Sequence, residues 1–339
     1  MDSFTNHSLI SHNTFGVDVK CKTFVCLYNQ SETIHFVENI LDKTHPFLVV
    51  GEGSNLLFTN DFEGTIIQMR NKGFEIVDQN TKYVWVKAAA GEKWDDFVAW
   101  CVENKYAGAE NLSKIPGTVG AAPIQNIGAY GVELVDLFNG LEAVEIANGE
   151  LKRFYLKELN FGYRDSIFKQ SLKNKYIITS VILKLNKFPV YKLDYGNIKG
   201  ELEKMSYKNL SIGLIRNAIS NIRASKLPET KELGNAGSFF KNPIVEKTQY
   251  LELRNKFPEL VAFPQDNGTF KIAAGWLIEH AGLKGYSGAK VAIHKNQALI
   301  VVNLGGASGK EILEFSEMIQ SKILDLYGLQ LEREVNVID

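Results

Sequence analysis

Two glycine-rich segments are the places in the 339-residue sequence where residue type and spacing first suggest chemistry. GEGSN, from Gly51 to Asn55, follows the apolar run FLVV, and IPGTVGAAPIQNIGAYG runs from Ile115 to Gly131 without a charged residue. Because glycine has no Cβ, neighbouring glycines let backbone N–H groups converge on an anion and let a ligand approach closely. The amides of Gln125 and Asn126 could bond the polar edge of a flat ring, and Tyr130 could cover its face.

FAD would need both features, because its pyrophosphate is an anion and its isoalloxazine ring is large and flat. The alternative is a packing loop between two domains, although two such segments in one chain favour a ligand. The dinucleotide-binding fingerprint GxGxxG does not fit, because Leu56 stands in place of the third glycine and LLF continues as a strand. The phosphate loop GxxxxGK is absent from the sequence.

Composition argues against several other classes of protein. The formal net charge of -1 lacks the basic excess that nucleic-acid binding requires. Apolar runs such as ALIVV are too short to span a membrane, and the N-terminus lacks the pattern of a signal peptide. Three scattered cysteines predict reduced thiols, and six histidines without metal-ligand spacing predict no metal site. We therefore expect a cytoplasmic protein that binds neither nucleic acid nor membrane.

Periodicity predicts the elements that position these residues. KYVWVKA alternates like a strand, and GLEAVEIANGELKRF predicts a hairpin around Asn148 and Gly149. KWDDFVAWCVENKY predicts an amphipathic helix that buries one face, formed by Trp94, Phe97, Val98 and Cys101.

The pattern changes near Pro189, beyond which helical spacing dominates. The spacing over residues 195–229 predicts mostly helix. GSFFKNPIV predicts a strand, and KIAAGWLIEHAGLKG predicts a helix that ends at a glycine. ALIVVNLGGASGK begins a strand, a glycine turn and a long helix, and LQLEREVNVID alternates like a closing strand. The whole pattern predicts an α+β protein.

Six segments together resemble the UDP-N-acetylenolpyruvoylglucosamine reductase (MurB) family. In order they are GEGSNLL, IPGTVGAAPIQNIGAYGVE, GYRDSIFK, GSFFKNP, AAGWLIEHAGLKG and LEREVNVI, and they span nearly the whole chain. The resemblance implies a PCMH/vanillyl-alcohol-oxidase-like FAD-binding fold of two α+β subdomains plus a C-terminal α+β substrate domain. The expected division is 1–70 with 333–339 for the first FAD subdomain, 71–225 for the second, and 226–332 for the substrate domain.

The resemblance also implies three catalytic residues. Ser238 matches the family's proton donor, which would protonate the α-carbon of an enolpyruvyl ether after hydride reaches the β-carbon. Arg164 would bind the substrate carboxylate, and Glu334 would donate a hydrogen bond to the enolate once protonated. Local context alone gives plainer roles: a strand-end hydroxyl, a solvated pair of Arg164 with Asp165, and an exposed charge pattern around Glu334. Lys241 and Asn242 are close enough in sequence to Ser238 to supply charge and hydrogen bonds.

Further site residues follow from the same resemblance. Those expected to hold FAD non-covalently are Gly51, Gly53, Ser54, Asn55, Pro116, Gly117, Thr118, Gly120, Ala121, Gln125, Asn126, Ile127, Gly128 and Tyr130. Those expected to contact the UDP part of the substrate are Tyr195, Lys226, Asn242 and Gln297. Tyr195 indicates the family variant with a tyrosine loop. Phe263 departs from the pattern, which has a tyrosine there, so any polar contact at that position is in doubt.

The resemblance thus implies a monomeric enzyme of peptidoglycan precursor synthesis. NADPH would reduce FAD, and the enolpyruvyl sugar nucleotide would then be reduced to UDP-N-acetylmuramate. One alternative is a sugar or alcohol oxidase of the same fold, although many of those tether FAD through His or Cys, and neither glycine segment contains one. Another is a module that binds a sugar nucleotide without redox chemistry.

Overall fold

The computed structural model describes residues 1–205 and 207–339, and Ser206, within the region predicted to be mostly helical, lies outside the described residues. The α-helices are α1 (Gln30–Asn39), α2 (Trp94–Glu103), α3 (Ile198–Lys204), α4 (Ile212–Lys226), α5 (Lys247–Lys256), α6 (Ala274–His280) and α7 (Gly309–Tyr327). Short 3-10 helices span Ile10–His12, Glu110–Leu112, Val119–Ile124, Leu134–Asp136, Leu156–Glu158 and Ile167–Lys169.

The β-strands divide between larger sheets and short pairs. In chain order they are β1 (Asp2–Ser8), β2 (Lys20–Leu27), β3 (Phe47–Val50), β4 (Leu56–Phe58), β5 (Phe62–Met69), β6 (Phe74–Gln79), β7 (Tyr83–Ala89), β8 (Gly128–Ala129), β9 (Val132–Glu133), β10 (Phe138–Glu145), β11 (Leu151–Tyr155), β12 (Tyr176–Asn186), β13 (Gly234–Ser238), β14 (Ile244–Val245), β15 (Ala262–Pro264), β16 (Phe270–Ile272), β17 (Val291–Ile293), β18 (Ile300–Asn303) and β19 (Asn336–Ile338). Helices and strands are mixed along the chain, which confirms the predicted α+β class.

The chain forms two compact units, each assembled from separate stretches of sequence. The first unit comprises Met1–His7, Cys21–Glu52 and Glu63–Ala224. The second comprises Ser8–Lys20, Gly53–Phe62 and Ser225–Asp339. The three-part division expected from the sequence stays a prediction.

The described residues of the first unit form sheets with strand orders β1-β2-β5-β3 and β11-β10-β12-β7-β6 and the two-stranded sheet β8-β9. Strands β3 and β5 are parallel, whereas neighbours in the five-stranded sheet are antiparallel. Alternation in β7 buries Val84, Val86 and Ala88 completely, as expected for a strand with one face in the core. The predicted hairpin around Asn148 and Gly149 is formed by β10 and β11.

Helix α2 contributes its apolar face to the core of this unit. Trp94, Phe97, Val98 and Cys101 are each 0–1% exposed, and they belong to one hydrophobic cluster with the buried residues of β7, β10 and β12. The predicted amphipathic helix is therefore confirmed with the expected face. Helices α3 and α4 form a separate, smaller cluster.

The second unit contains the sheets β13-β18-β17 and β14-β16-β15 and the parallel pair of β4 with β19. Helix α7 begins with a capping box, in which Ser308 Oγ accepts from the Glu311 N–H and the Glu311 carboxylate accepts from the Ser308 N–H. It ends at Gly328 in the left-handed conformation, which glycine adopts without a Cβ clash.

Two predicted elements in this unit have different bounds. The strand predicted over GSFFKNPIV forms only at its two ends: Gly237 and Ser238 end β13, whose register to β18 shifts between Asn235 and Ser238, and Ile244 and Val245 form β14. The helix predicted from Lys271 begins at Ala274, since Lys271 and Ile272 belong to β16. Across residues 1–205 and 207–339, no helix combines the length and apolar character needed to cross a bilayer.

Candidate functional site

In the first unit, the start of GEGSN lies directly against the second glycine-rich segment. A Cβ added to Gly51 would lie 2.7 Å from Thr118 Oγ1 and 3.3 Å from Ala121 Cβ, so only glycine fits without displacement. The Glu52 carboxylate accepts a hydrogen bond from the Gly117 N–H at 3.0 Å. The structure therefore brings together two segments that were singled out separately in the sequence.

Side chains of neighbouring elements hold this junction in place. Gln68, on β5, donates to the Gly51 carbonyl at 2.7 Å, and Arg70 Nε donates to the Gln68 side-chain oxygen at 2.9 Å. Lys93 forms an ion pair with Glu52 at 3.2 Å. These bonds fix the backbone of the glycine turn, which is the part of the chain that would face a phosphate.

Internal packing explains several of the small residues. A Cβ on Gly120 would approach Ala90 Cβ to 2.6 Å, so this glycine permits two backbones to touch. The neighbouring side of the segment stays partly exposed, namely Gly120, Ala121, Ile124, Gln125, Gly128, Ala129 and Tyr130. The segment thus serves as a packing loop on one side and leaves on the other an uncharged surface in which four of the seven residues are Gly or Ala.

Arg164 lies against the same segment. Its Nη2 donates to the Gly128 carbonyl at 2.8 Å, and a Cβ on Gly128 would lie 3.0 Å from Arg164 Nη1. Arg164 has φ of 55°, in a tight turn where Gly162 and Asp165 exchange backbone hydrogen bonds. This uncommon conformation aims the guanidinium at the glycine-rich segment rather than along an extended chain.

Asn126 has an internal role that its sequence context does not reveal. The residue is 1% exposed, its side-chain nitrogen donates to Glu133 and to the Gly162 carbonyl, and its oxygen accepts from the Val135 N–H. These bonds connect the Arg164 turn to the hairpin of β8 and β9. The Asn126 side chain therefore positions the Arg164 turn against this hairpin through internal hydrogen bonds.

In the second unit, GEGSN continues with Gly53, Ser54 and Asn55. Gly53 has φ of 67°, and a Cβ there would lie 1.9 Å from the His12 carbonyl oxygen, so no other residue fits. Asn55 Nδ2 donates to the Glu334 carbonyl at 3.1 Å, and the Asn55 carbonyl accepts from the Asn336 N–H at 3.0 Å. Asn55 thus connects this turn to the segment that carries Glu334.

Ser238 and Glu334 are also brought together in the second unit. Ser238 ends β13 opposite Ile300, and the next residue, Phe239, accepts a backbone hydrogen bond from Glu334 at 2.8 Å. Ser238 and Glu334 are both partly exposed, whereas Phe239 is fully buried. Two residues that are distant in sequence are therefore anchored on adjoining segments with accessible side chains.

Lys241 and Asn242, expected near Ser238, have defined partners. Lys241 Nζ lies 2.5 Å from Glu332 Oε1, so its positive charge is paired. The Asn242 side-chain oxygen accepts from the Ala274 N–H at 2.9 Å and caps the start of α6.

Three of the expected substrate-binding residues lie near one another in the second unit. Gln297 lies beside the first turn of α6, because its Oε1 would be 3.6 Å from a Cβ on Gly275. Asn296 donates to the Ser225 carbonyl at 3.4 Å, which places Lys226 close to Gln297. Tyr195 lies in the first unit and is 49% exposed. Phe263, on β15, is 37% exposed.

Sequence reasoning missed two residues of the first unit that contact Tyr130. The positive charge of Arg223, on α4, interacts with the Tyr130 phenol, and Asn111 donates to the Tyr130 carbonyl at 2.8 Å. Burial raises the pKa of the Tyr130 phenol, and the positive charge of Arg223 opposes that rise. One signal in the sequence could have indicated a buried role for Arg223. It lies one helical turn after the buried Ile219, beside the apolar stripe of α4.

Comparison with known proteins identifies two matching families. A model described as UDP-N-acetylenolpyruvoylglucosamine reductase, C-terminal domain, matches residues 228–338, and one described as FAD binding domain matches residues 22–155. The chain is 44% identical to the UDP-N-acetylenolpyruvoylglucosamine reductase of Flavobacterium johnsoniae, with 100% of each chain covered. It is 44% identical to the enzyme of the same name from Pseudomonas aeruginosa, with 97% of each chain covered.

The fold also matches a solved structure. The crystal structure of UDP-N-acetylenolpyruvylglucosamine reductase from Thermus caldophilus has a TM-score of 0.69 at 22% identity and covers 100% of this chain and 98% of its own. Together with the two family models, this match confirms the predicted fold class, a PCMH-like FAD-binding fold followed by a C-terminal domain.

Proposed function

The chain belongs to the UDP-N-acetylenolpyruvoylglucosamine reductase family, and on that premise we propose that it uses NADPH to convert UDP-N-acetylglucosamine enolpyruvate into UDP-N-acetylmuramate. It is an FAD-dependent oxidoreductase of peptidoglycan synthesis. The proposed net reaction adds a hydride and a proton across the enolpyruvyl double bond. The roles of individual residues follow from the chemistry of their side chains and from what holds them.

Two surfaces would hold FAD. The first is the partly exposed side of the glycine-rich segment, with Gly120, Ala121, Gln125 and Gly128, where small residues fit a flat ring. The second is the turn of Gly51 to Asn55, whose backbone is fixed by hydrogen bonds at several points. Bound FAD would supply the redox chemistry, taking a hydride from NADPH and delivering one to the β-carbon of the enolpyruvyl ether.

Arg164 would bind the substrate carboxylate. A guanidinium can donate two parallel hydrogen bonds to a carboxylate. Its positive charge stabilises the carboxylate more strongly as negative charge develops there in the transition state. The bond from Arg164 Nη2 to the Gly128 carbonyl uses one donor and orients the planar group, leaving the other edge of the fork in a defined direction.

Ser238 would donate the proton. An ordinary serine hydroxyl is a weak acid, so its geometry and a stabilised developing charge must promote transfer to the α-carbon. Ser238 is held at the end of β13 by pairing on both sides, through Ile300 and through the Phe239 backbone. The Glu334 N–H donates to the Phe239 carbonyl, so the backbone of Glu334 is fixed to the segment that carries Ser238. From there a protonated Glu334 side chain would donate a hydrogen bond to the enolate.

Lys226, Asn242, Gln297 and Tyr195 would bind the UDP part. A lysine suits a diphosphate and a tyrosine ring suits a nucleobase. We also propose a monomer in the cytoplasm, and the predicted three-part domain division as the functional one.

The observation that carries the mechanism is the backbone bond between Phe239 and Glu334, which joins the proposed proton donor to the proposed enolate ligand. The test is a visible spectrum of the purified protein, recorded anaerobically as purified, after NADPH, and after the enolpyruvyl sugar nucleotide. We expect flavin absorbance that NADPH bleaches and the sugar nucleotide restores. A colourless protein that takes up no FAD would favour the sugar-nucleotide module, and bleaching by an alcohol but not by NADPH would favour the oxidase.

A further inference from the structure

Tyr130 occupies a backbone position that is unusual for its residue type. Tyr130 and Gly131 form the two-residue turn between β8 and β9, since Ala129 pairs with Val132 across it. Their φ angles are 50° and 77°, a combination normally built from Asn, Asp or Gly. A strained aromatic residue persists in such a turn only where its surroundings hold it.

The Tyr130 turn and the Tyr195 segment fit each other through two glycines. A Cβ on Gly196 would lie 2.6 Å from Tyr130 Cδ1, and a Cβ on Gly131 would lie 3.4 Å from Tyr195 Cβ. The Tyr130 ring is therefore accommodated only because residue 196 is a glycine, whereas a Cβ on Gly131 would make an ordinary contact with Tyr195 and glycine is favoured there by its φ of 77°. Gly196 has φ of 70°, so the Tyr195 segment also bends at this contact.

Asn111 connects the same two segments by hydrogen bonds. Its side-chain nitrogen donates to the Tyr130 carbonyl at 2.8 Å and to the Lys192 carbonyl at 2.9 Å. Asn111 is 2% exposed, so both bonds are shielded from water.

Arg223 interacts electrostatically with the Tyr130 phenol. Burial raises the pKa of the phenol and the positive charge of Arg223 lowers it, and the Arg223 Nε is buried without a hydrogen-bond partner among the described residues. The Asp95 carboxylate interacts with the charge of Arg223, but both of its oxygens accept hydrogen bonds from Arg216, at 2.6 and 3.0 Å. A buried arginine Nε without a hydrogen-bond partner is costly to maintain in a purely structural group.

The Tyr130 ring packs with Tyr191 and Leu193 on the small cluster that α3 and α4 form. The buried members of that cluster are Ile198, Leu202, Ile215, Ala218, Ile219 and Ile222. Tyr195 nevertheless remains 49% exposed, so the contacts fix its backbone and Cβ while half of the residue stays accessible.

We propose that Tyr130, Asn111 and Arg223 form a contact surface that positions the Tyr195 segment for the sugar-nucleotide substrate. This surface of three residues is called the dock. The inference rests on the proposed function for what Tyr195 contacts. Arg223 and Asn111 are positioning residues, since they act through Tyr130 and through the backbone at Lys192. Their loss should weaken substrate binding more than it slows the transfer of hydride and proton.

The kinetic test uses flavin reduced with dithionite and reoxidised by the enolpyruvyl sugar nucleotide, so that NADPH plays no part. Tyr130→Phe and Arg223→Met should each raise the half-saturating concentration about tenfold, because each removes the interaction of the Arg223 charge with the Tyr130 phenol, while the limiting rate changes about threefold or less. The double variant should be no worse than either single variant, because both remove the same interaction.

Arg216→Met is the matched control, because it removes an arginine bond from the same helix without touching Tyr130. It should lower stability and leave half-saturation unchanged. Equal rises in Arg216→Met and Arg223→Met, or no rise in Arg223→Met and Tyr130→Phe, would overturn the proposal. A flavin spectrum altered by Tyr130→Phe without a change in half-saturation would also overturn it, by placing Tyr130 at the cofactor alone.

Hydrogen exchange tests the dock independently of activity. Amides of residues 192–197 should exchange about tenfold faster in Arg223→Met and Asn111→Leu than in the wild type and Arg216→Met. Unchanged exchange refutes the dock even if the enzyme reduces its substrate. Faster exchange in a protein that fails to reduce the sugar nucleotide refutes the proposed function and leaves the dock standing.

Discussion

Individual residues of the candidate site serve the fold and the chemistry together. Asn126, Tyr130 and Arg164 all have positive φ, an uncommon conformation outside glycine, and all three lie at or against the same hairpin. Asn126 bonds the Arg164 turn, and Arg164 bonds Gly128. Strained backbone conformations in proteins often occur at functional sites, where they fix the direction of a side chain. Here they fix the directions of the Arg164 and Tyr130 side chains.

The proposed role of Ser238 predicts a split between half-reactions. Ser238→Ala should leave the rate of flavin reduction by NADPH within about twofold of the wild-type rate, because no proton is required from the serine there. Reduction of the enolpyruvyl substrate should fall by about 10²-fold or more, the usual contribution of a positioned general acid. Stopped-flow absorbance of the flavin measures both rates. Equal losses in the two half-reactions would contradict a proton-donor role.

Two carboxyl groups of the first unit, the buried Glu110 and the partly buried Asp95, predict opposite pH dependences. Burial raises the pKa of Glu110, whose Oε2 accepts from the Gly108 N–H at 2.6 Å. A raised pKa in the folded state means that stability is full below the ordinary value of 4.5 and declines as pH rises through the folded pKa. Glu110→Gln should therefore gain stability relative to the wild type as the pH rises above 4.5, until Glu110 is ionised in the folded state as well.

Asp95 provides the opposite sign. Burial alone would raise its pKa, but hydrogen bonds from Arg216 and from the Lys114 N–H outweigh burial and lower it. Its contribution is present above the unfolded pKa and is lost as pH falls through the folded one. Asp95→Asn should cost about 2 kcal/mol near neutral pH, and less toward about pH 3. Urea denaturation across pH measures both variants, and parallel curves for wild type and variants would contradict the assignments.

At the scale of elements, close approach of backbones decides where glycine is required. Gly309, the first residue of α7, lies against the end of β4, and a Cβ there would be 1.7 Å from the Phe58 carbonyl oxygen. Gly213, in α4, has the Val102 side chain as its nearest neighbour at 3.7 Å, an ordinary contact distance. The same substitution should therefore have opposite effects in the two helices.

Gly309→Ala should destabilise the protein by about 3 kcal/mol, since a backbone oxygen cannot move aside as a flexible side chain can. Gly213→Ala should stabilise it by about 0.5 kcal/mol through helix propensity. Thermal unfolding of both variants beside the wild type gives the comparison. A neutral Gly309→Ala would mean that α7 and β4 can separate without loss.

For the whole molecule, the two units depend on interleaved stretches of sequence. In the second unit, the Asn235 N–H donates to the Thr14 carbonyl, Asn303 Nδ2 donates to the Phe15 carbonyl, and β19 pairs with β4. Residues from the first 62 positions therefore complete the hydrogen bonding of the C-terminal region. Its buried backbone groups would be unsatisfied without them.

This arrangement predicts that residues 225–339 do not fold when expressed alone. The fragment should lack a cooperative unfolding transition by circular dichroism, and co-expression with residues 1–224 should restore one. The full chain is the reference for both measurements. A cooperative transition in the isolated fragment would show that the N-terminal stretches are dispensable for its fold.

Local signals in the sequence determine most of the elements and the family. The period of 3.6 residues predicts the buried face of α2, and Asn148-Gly149 predicts the hairpin of β10 and β11, because side chains of neighbouring turns and turn chemistry act over a few residues. Six short motifs carry the family resemblance, since each is specific in residue type and they occur in the family's order along the chain. The predicted strand at LLF is also confirmed, but nothing in its spacing indicates its partner.

Tertiary structure alone decided which distant groups meet. It paired β4 with β19, joined the backbone of Glu334 to that of Phe239, and brought the charge of Arg223 into interaction with the phenol of Tyr130. It also assigned the Asn126 side chain to internal bonds where its type alone suggested a ligand. Such contacts depend on where the packed elements bring their surfaces together, and no pattern read along a single stretch of chain contains that information.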